Sequence, residues 1–157
     1  MKSQATRAPV RVRELRQDDI DRVVRIDALH TGAANRRYWK RAFDDFLRPD
    51  PERQRVGLAA EAEGRLIGYL LGEVRAFEFG SEACGWVFAV GVDPAHTRRD
   101  VGSTLLSEIC GRFKDAGITA VRTMVRRNDV PVLAFFRANG FVGGSFVQLE
   151  VDLGEES

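Results

Sequence analysis

Six consecutive residues in this chain have the types and the order of an anion-binding turn. They are Arg98, Arg99, Asp100, Val101, Gly102 and Ser103, and the pattern of an amphipathic helix begins within them. Backbone amides at the start of a helix lack intrahelical partners and carry partial positive charge, so a phosphate there meets ready donors. Gly102 permits close approach to the backbone, and the arginines add charge and forked donors. The segment therefore indicates a phosphate site, unless it is an ordinary loop with solvated arginines.

Hydrophobic periodicity predicts the elements that would position this turn. In chain order these are a strand from Val10, helices through His30 and over 34–48, strands over 56–62, 66–79 and 86–92, a helix over 101–113, a strand over 119–126, a helix over 129–138 and a strand over 147–153. The strand before the turn is apolar on both faces, with Trp86, Phe88, Val90 and Val92 on one of them, which predicts a central position. The order predicts an α/β (α+β) fold, a mixed sheet with helices on its faces.

Length and composition limit the class of protein. A chain of 157 residues is most simply one domain, and we expect residues 10–153 to form it between tails at 1–9 and 154–157. A net charge of +1 provides no general field for nucleic acid. Two cysteines and two histidines form neither a disulfide framework nor a metal-ligand cluster, so we predict no metal. The polar first residues and the lack of a long apolar run predict a soluble, cytoplasmic protein without a membrane partner.

The order of elements and three short motifs resemble the GNAT superfamily of acetyl-CoA-dependent N-acyltransferases, over about residues 10–153. The motifs are Val92-Asp93-Pro94, the turn into Gly102, and Asn128 followed by Gly140-Phe141. The resemblance implies a mostly antiparallel sheet of six to seven strands flanked by about four helices. It also implies that the fourth and fifth strands splay apart, with a bulge that Gly91 would permit, so that free backbone groups near Val90 and Val92 pair with the pantetheine of coenzyme A.

The phosphate turn departs from the family pattern at two positions. The family has Gln or Arg where this chain has Thr97, and its first glycine falls on Asp100, whereas Gly102 matches the second glycine. The resemblance implies that residues 97–103 wrap the diphosphate of coenzyme A. Asp100 would weaken that binding by competing for the amides at the helix start, and it would then cap the helix through the amide of Gly102 or Ser103.

Proton transfer at this site has several candidate residues. An amine with a pKa near ~10.4 arrives protonated and needs a base, for which Glu73 and Glu82 are candidates, unless both are solvated surface groups. The tyrosine that the family often uses as general acid is Phe136 here. Tyr69 or Cys84 would then have to supply the proton, unless they are core residues.

Two further features would border the ligands. Asn128 would contact the cofactor by resemblance, or would cap the helix that follows it. A basic cluster in the second helix consists of Arg36, Arg37, Lys40 and Arg41. Such a cluster is either a solvated helix face or a site for an acceptor with acid groups or for the adenosine 3′-phosphate.

The resemblance implies an N-acetyltransferase that moves an acetyl group from acetyl-CoA to a primary amine of a small molecule or peptide, by direct attack. The altered residues Thr97, Asp100 and Phe136 keep a second hypothesis open. In that hypothesis the domain has lost turnover and binds a ligand or a protein partner. The final strand is free to pair with a second subunit, and we expect a homodimer.

Overall fold

The chain divides into two compact units, residues 1–124 and 125–157. This computed structural model describes residues 8–76 and 79–154, without the side chains of residues 97–99. The first unit contains, in chain order, β1 (Arg11–Glu14), α1 (Ile20–Thr31), α2 (Arg36–Leu47), β2 (Arg55–Ala62), β3 (Arg65–Arg75), β4 (Cys84–Val92), α3 (Val101–Asp115) and β5 (Val121–Thr123). The second unit contains α4 (Val130–Ala138). No helix in the described ranges is both long and apolar enough to cross a membrane.

The sheet of the first unit has the strand order β1-β2-β3-β4-β5. Neighbours from β1 to β4 are antiparallel, and β5 runs parallel to β4 after the α3 crossover. Parallel neighbours need such a crossover because the chain must return to the same end of the sheet. The predicted mixed, mostly antiparallel sheet with about four helices is therefore confirmed, as is the central position of β4.

The prediction of six to seven strands is wrong, because the described residues form five. Residues 141–154 contain no helix or strand, and the alternating side chains of Val147, Leu149, Val151 and Leu153 are exposed. The alternation of apolar and polar residues determines which face a strand would bury. A strand forms only where the edge of another strand supplies partners for its backbone hydrogen bonds. The homodimer stays a prediction, but the final strand that would pair with a second subunit does not form among the described residues.

Predicted helix bounds agree with the structure more closely than predicted strand bounds. The α1 helix ends at Gly32, whose φ of 83° is the left-handed conformation typical of a helix end. The β3 strand ends at Arg75 and not near residue 79, and β5 spans three residues and not 119–126. The β3 strand stops where its partner β4 begins at Cys84, whereas β5 stops at its pair with Val87 although β4 continues to Val92; local sequence reveals neither limit.

Helices cover both faces of the sheet. The face toward α1 and α2 buries a cluster that includes Val23, Ile26, Trp39, Phe43 and Tyr69. On the other face, α3 buries Val101, Leu105, Ile109 and Phe113, each at most 2% exposed. Because alternate residues of β3 point to opposite faces, the β3 residues on either side of Tyr69 point toward α3.

Two glycines of β3 let α3 lie close to the sheet. A Cβ added at Gly68 would lie 2.8 Å from Val101 Cγ1, and one added at Gly72 would lie 2.4 Å from Ile109 Cδ1 and 2.7 Å from the Trp86 carbonyl oxygen. Both distances are shorter than a van der Waals contact, so a side chain at either position would displace the helix. Gly68 thus sets the distance of the α3 N-terminus from the sheet, and Gly72 sets that of the middle of the helix.

We expect Gly72→Ala to lower the free energy of unfolding by about 1–3 kcal/mol, because the new methyl group overpacks the contact between β3 and α3. Urea denaturation measures this change. The control is Gly111→Ala in α3, where an added Cβ meets nothing within 4 Å. That variant should be neutral or slightly more stable, since alanine favours a helix interior. Equal effects of the two substitutions would contradict the close packing.

Candidate active site

The pairing between β4 and β5 stops halfway along β4. The parallel pairs are Gly85 with Val121, Trp86 with Arg122 and Val87 with Thr123. At the same point the register with β3 shifts, because Leu71 lies opposite Ala89 and Gly72 lies opposite Val87, so that Phe88 is an extra residue. A bulge of this kind bends a strand and increases its twist. Beyond it, no described strand covers the edge of β4 that faces away from β3.

The bulge lies at Phe88 and not at Gly91. Gly91 instead makes room for an aromatic ring, because a Cβ added there would lie 2.4 Å from the ring of Tyr69. The prediction that Phe88 and Val90 share a strand face is wrong, because the Phe88 ring contacts Phe46 of α2, with ring centroids 6.3 Å apart. One extra residue shifts the alternation, so Phe88 does not share a face with Val90.

The backbone groups of Val90 and Val92 are directed to the uncovered edge of β4. The Asp93 amide donates to the Ile67 carbonyl of β3 at 2.8 Å. Successive strand residues direct their backbone groups to opposite edges, so those of Val92 and, two residues earlier, Val90 face away from β3. The splaying predicted for this pair of strands is present, and binding of a ligand by Val90 and Val92 remains a prediction.

Two side chains of α1 hold the end of β4, and the sequence did not indicate either. His30 Nε2 lies 2.6 Å from the Val92 carbonyl oxygen, which can only accept, so Nε2 carries the proton of this hydrogen bond. Arg22 donates through Nη2 to Asp93 Oδ2 at 2.7 Å and through Nε to the Leu66 carbonyl at 3.0 Å. The uncovered half of β4 is therefore fixed in place by α1 and not by β5.

Asp93 is a turn residue and the centre of a small charge network. Its Oδ1 accepts from the Ala95 amide at 3.0 Å, and His96 Nδ1 lies 3.6 Å from its Oδ2. Burial raises the pKa of the Asp93 carboxyl, but the Ala95 amide and the Arg22 guanidinium lower it more, so the pKa lies below its usual value. The carboxylate is thus ionised whenever the protein is folded near neutral pH.

At the start of α3, the side chain of the N-cap residue leaves the backbone amides uncapped. Asp100 occupies the N-cap position with φ 53° and ψ 32°, and its side chain makes no capping hydrogen bond. The expectation that Asp100 caps the amide of Gly102 or Ser103 is therefore wrong. The left-handed conformation, which favours glycine, directs its carbonyl and not its carboxylate into the helix, where Thr104 donates to it through N and Oγ1 at 2.9 Å.

The remainder of the predicted phosphate turn is only partly described. The backbone of Pro94–Arg99 forms a 3-10 helix that leads to Asp100. The side chains of Thr97, Arg98 and Arg99 lie outside the described part of the structure, so their phosphate contacts stay predictions. Val101 and Gly102 are buried and Ser103 is half-buried.

The two candidate bases have different surroundings. Glu73 is buried and pairs with Arg55 Nε at 3.1 Å and with the Arg75 guanidinium. It lies three residues along β3 from Leu70, the partner of Val90, which corresponds to about 10 Å. Glu82 is exposed in the segment before β4. The structure therefore holds Glu73 in an ion-pair network away from the uncovered edge of β4, and the general-base role stays a prediction for both.

Of the two candidate acids, Tyr69 lies nearer the uncovered edge. It pairs with Gly91, and burial together with the nearby Asp27 raises its pKa above the usual value. Cys84 is buried at the other end of β4, with Sγ 3.4 Å from Arg122 Nη1. Among the described residues, no group of three or more His, Cys, Asp and Glu side chains has the arrangement of a metal site.

The second unit contains the other two predicted ligand contacts. The side chain of Asp129 caps α4 by accepting from the Val132 amide at 3.3 Å, so the alternative role of Asn128 as the helix cap is wrong. Phe136 is 5% exposed, and its ring packs edge to face on Phe135 and Phe141 with both centroid distances 5.1 Å. The cofactor contacts proposed for Asn128 and Phe136 remain predictions.

Comparison with known proteins gives a consistent result. The pattern of the acetyltransferase (GNAT) family matches residues 17–141. An L-2,4-diaminobutyric acid acetyltransferase of Nocardia farcinica is 28% identical over 52% of this chain and 40% of its own length. A mycothiol acetyltransferase of Saccharomonospora viridis is 31% identical over 54% of this chain and 28% of its own length. The aligned region thus spans less than half of each curated relative.

The fold has a clear counterpart among solved structures. An aminoglycoside N-acetyltransferase in complex with CoA superposes with a TM-score of 0.78, covering 94% of this chain and 97% of that chain at 13% identity. At this level of identity the similarity concerns the fold.

We expect Asp93→Asn to lower the free energy of unfolding at pH 7 by about 1–3 kcal/mol, because Arg22 loses a charged partner. The folded-state pKa of Asp93 lies below its unfolded value of about 3.9, so this stabilisation is present above that pH and is lost as pH falls through the folded-state pKa. Denaturation curves for both proteins should therefore converge below about pH 4.

The control is Asp21→Asn, which removes the exposed carboxylate that pairs with Arg36 at 2.7 Å. An exposed ion pair contributes little, so this variant should unfold like the wild type. A loss in Asp93→Asn that does not change with pH would contradict the ion-pair interpretation.

Proposed function

The chain belongs to the GNAT family of acetyltransferases, and on this premise we propose that it transfers the acetyl group of acetyl-CoA to a primary amine of a small molecule. The observation that carries the proposal is the end of β4–β5 pairing at the Phe88 bulge. It leaves strand-pairing groups uncovered just before the turn into α3. An added ligand strand satisfies such groups, which are costly to leave without partners.

Two parts of the first unit fit coenzyme A. Its pantetheine arm carries amides that match the backbone groups of Val90 and the amide of Val92 along the edge of β4, whereas the Val92 carbonyl already accepts from His30. Its diphosphate matches the amides of Val101, Gly102 and Ser103 at the start of α3, which the Asp100 side chain leaves uncapped. Both sets of groups belong to one compact unit and are connected by a single short turn.

The chain would orient the reactants and move protons. Acetyl-CoA supplies an acyl carbon that is already activated as a thioester. A backbone amide of β4 donates to the thioester oxygen, where negative charge develops. The amine must lose a proton first, and a chain of waters would have to carry it to either proposed base, since Glu73 is held by two arginines and Glu82 precedes the far end of β4.

The leaving thiolate needs less assistance than the amine. Phe136 has no proton to donate, so we propose Tyr69 as the donor because it lies opposite Gly91 in the uncovered half of β4; its raised pKa makes it a weaker acid than an ordinary tyrosine. A general acid contributes about 10²–10⁴-fold, and a thiol with a pKa of about 8.5 is already a fair leaving group. We therefore expect slow turnover and not complete loss of activity.

The relatives favour an enzyme over a domain that has lost turnover. Both curated relatives are named acetyltransferases, and one of them is named for a diamino acid. The solved neighbour is named for an aminoglycoside, another small molecule with amino groups. These names support a small-molecule amine as the acceptor. The cytoplasmic location and the homodimer remain predictions.

The proposal predicts that acetyl-CoA raises the melting temperature and that a panel of primary amines causes release of free thiol. Ser103→Glu should weaken CoA binding by about tenfold or more, because its carboxylate would face the diphosphate across a few ångströms. The same carboxylate suits the positive end of α3, so the variant should not unfold more easily. Calorimetry and a thiol-release assay measure the two effects.

Ser107→Glu places the same charge one turn further along the exposed side of α3 and is the control. It should bind CoA like the wild type. Stabilisation by acetyl-CoA without thiol release from any amine would point to a binding module. No stabilisation, or equal binding by the two variants, would overturn the proposed CoA site.

Asp100 would weaken CoA binding through its negative charge, because its side chain does not accept a hydrogen bond from the amides at the start of α3. Asp100→Asn keeps the size of the side chain and its tolerance of the left-handed conformation but removes the charge. We expect it to tighten CoA binding by up to about tenfold, after screening by solvent and salt. Asp100→Gly should tighten binding at least as much. If only Asp100→Gly improves CoA binding, the bulk of the side chain is responsible. If neither variant improves it, the proposal that Asp100 weakens CoA binding is wrong.

A further inference from the structure

Asp27 of α1 is a half-buried carboxylate without a cationic partner. Its Oδ2 accepts a hydrogen bond from Trp39 Nε1 at 2.9 Å, and no described residue forms an ion pair with it. Asp19, Glu73 and Asp93 are likewise withdrawn from solvent, and each of them pairs with an arginine. A carboxylate that has lost part of its hydration is stabilised by a cation. Asp27 therefore lacks the counterion that comparable carboxylates of this chain have.

The side of α1 that carries Asp27 is directed toward the uncovered half of β4. His30 follows Asp27 by three residues, so both side chains lie on the same side of the helix, with Cβ atoms about 5–6 Å apart. His30 Nε2 lies 2.6 Å from the Val92 carbonyl oxygen, which faces the uncovered edge. The Asp27 carboxylate is thus about one helical turn from the edge along which the thioester would lie.

A second set of contacts connects Asp27 with the same part of β4. Trp39, the donor to Asp27, packs edge to face on Tyr69 with ring centroids 5.1 Å apart. Tyr69 pairs with Gly91, and a Cβ added at Gly91 would lie 2.4 Å from the Tyr69 hydroxyl. The pKa of Tyr69 is raised mainly by burial and further by the charge of Asp27, so the carboxylate lies within electrostatic range of the phenol.

The Tyr69 hydroxyl and the Asp27 carboxylate are both open to a ligand. The hydroxyl forms no hydrogen bond with a described residue, and it is not one of the side-chain atoms that are sealed from solvent without a partner. Asp27 is half-buried and keeps part of its surface in contact with solvent. An acceptor on the α1 side of β4 therefore meets one hydroxyl and one carboxylate.

The charge of Asp27 suits a nitrogen that does not react. The attacking amine must be neutral when it meets the thioester carbon. A carboxylate next to an amine favours the charged form and raises the pKa of that amine, so Asp27 would slow the attack of a nitrogen that it held. A second nitrogen, which stays an ammonium ion while the first one attacks, has no such cost.

We propose that Asp27 binds a second ammonium group of the acceptor, so that the substrate is a diamine or an amino sugar with at least two amino groups. This assignment rests on the function proposed above and names its class of substrate. The ammonium supplies the missing counterion and donates a charge-assisted hydrogen bond to the Asp27 oxygen that Trp39 does not use. An acceptor with a single nitrogen gains nothing from this contact.

Amines of equal length test the proposal in the wild-type protein. The pairs are 1,4-diaminobutane with butylamine and 1,5-diaminopentane with pentylamine, which differ only in the second amino group. Calorimetry in the presence of CoA should show the diamine of each pair binding about tenfold or more tightly, the effect of one charged hydrogen bond. Equal binding within the pairs, or no binding of either member, would overturn the proposal.

Asp27→Asn keeps an oxygen that accepts from Trp39 Nε1 and removes the charge. It should abolish most of the preference for the diamine and change the binding of the monoamine little. Asp21→Asn makes the same change at an exposed carboxylate of α1 that pairs with Arg36, and it should keep the preference. An equal loss for diamine and monoamine in Asp27→Asn would indicate a structural role only, and a loss of preference in both variants would indicate a general field effect; either result would contradict the site.

Direct binding keeps this proposal separable from the proposed function. If diamines bind through Asp27 but no amine releases thiol, the transferase fails and the ammonium site stands. If thiol is released from amines without any preference for a second amino group, the transferase stands and the site is wrong. In active protein, Asp27→Asn should raise KM for 1,5-diaminopentane about tenfold and leave kcat nearly unchanged.

Discussion

One extra residue in β4 determines what the uncovered part of the sheet can do. Up to Val87, β4 is an ordinary central strand with a partner on each side. At Phe88 the register shifts, and beyond it the backbone groups of Val90 and Val92 face an edge without a described strand. Backbone amides and carbonyls almost always find partners in folded proteins, so an edge of this kind is suited to a ligand with amides of its own.

The two ends of the β3–β4 ladder are held differently. At one end β5 pairs with β4, and Glu73 of β3 lies buried between Arg55 of β2 and Arg75 of β3, which links β3 to β2. At the other end α1 replaces β5, with Arg22 on Asp93 and His30 on the Val92 carbonyl. The uncovered edge can therefore remain ordered without a neighbouring strand. A preordered edge loses less entropy when a ligand binds than a flexible one would.

The helices on either face supply the remaining parts of the site. Close packing on Gly68 fixes the beginning of α3, so that its uncapped amides follow directly from the end of β4. On the opposite face, Trp39 of α2 packs edge to face on Tyr69, which lies against Gly91 of the same strand. The phosphate-binding amides that we propose in α3 would thus lie next to the uncovered edge of β4.

The sequence by itself determined the order of elements, the helices and the family. Apolar residues recur with the period of the helix that buries them, and the turn into Gly102 lies where the motif predicts it. Only the tertiary structure decided the position of the bulge, the uncapped conformation of Asp100 and the contacts of His30 and Arg22 with β4. Those contacts join residues 62 and 71 positions apart, so no local pattern contains them. The same reason explains residues 147–153, whose alternation is that of a strand although no partner edge forms one in the described structure.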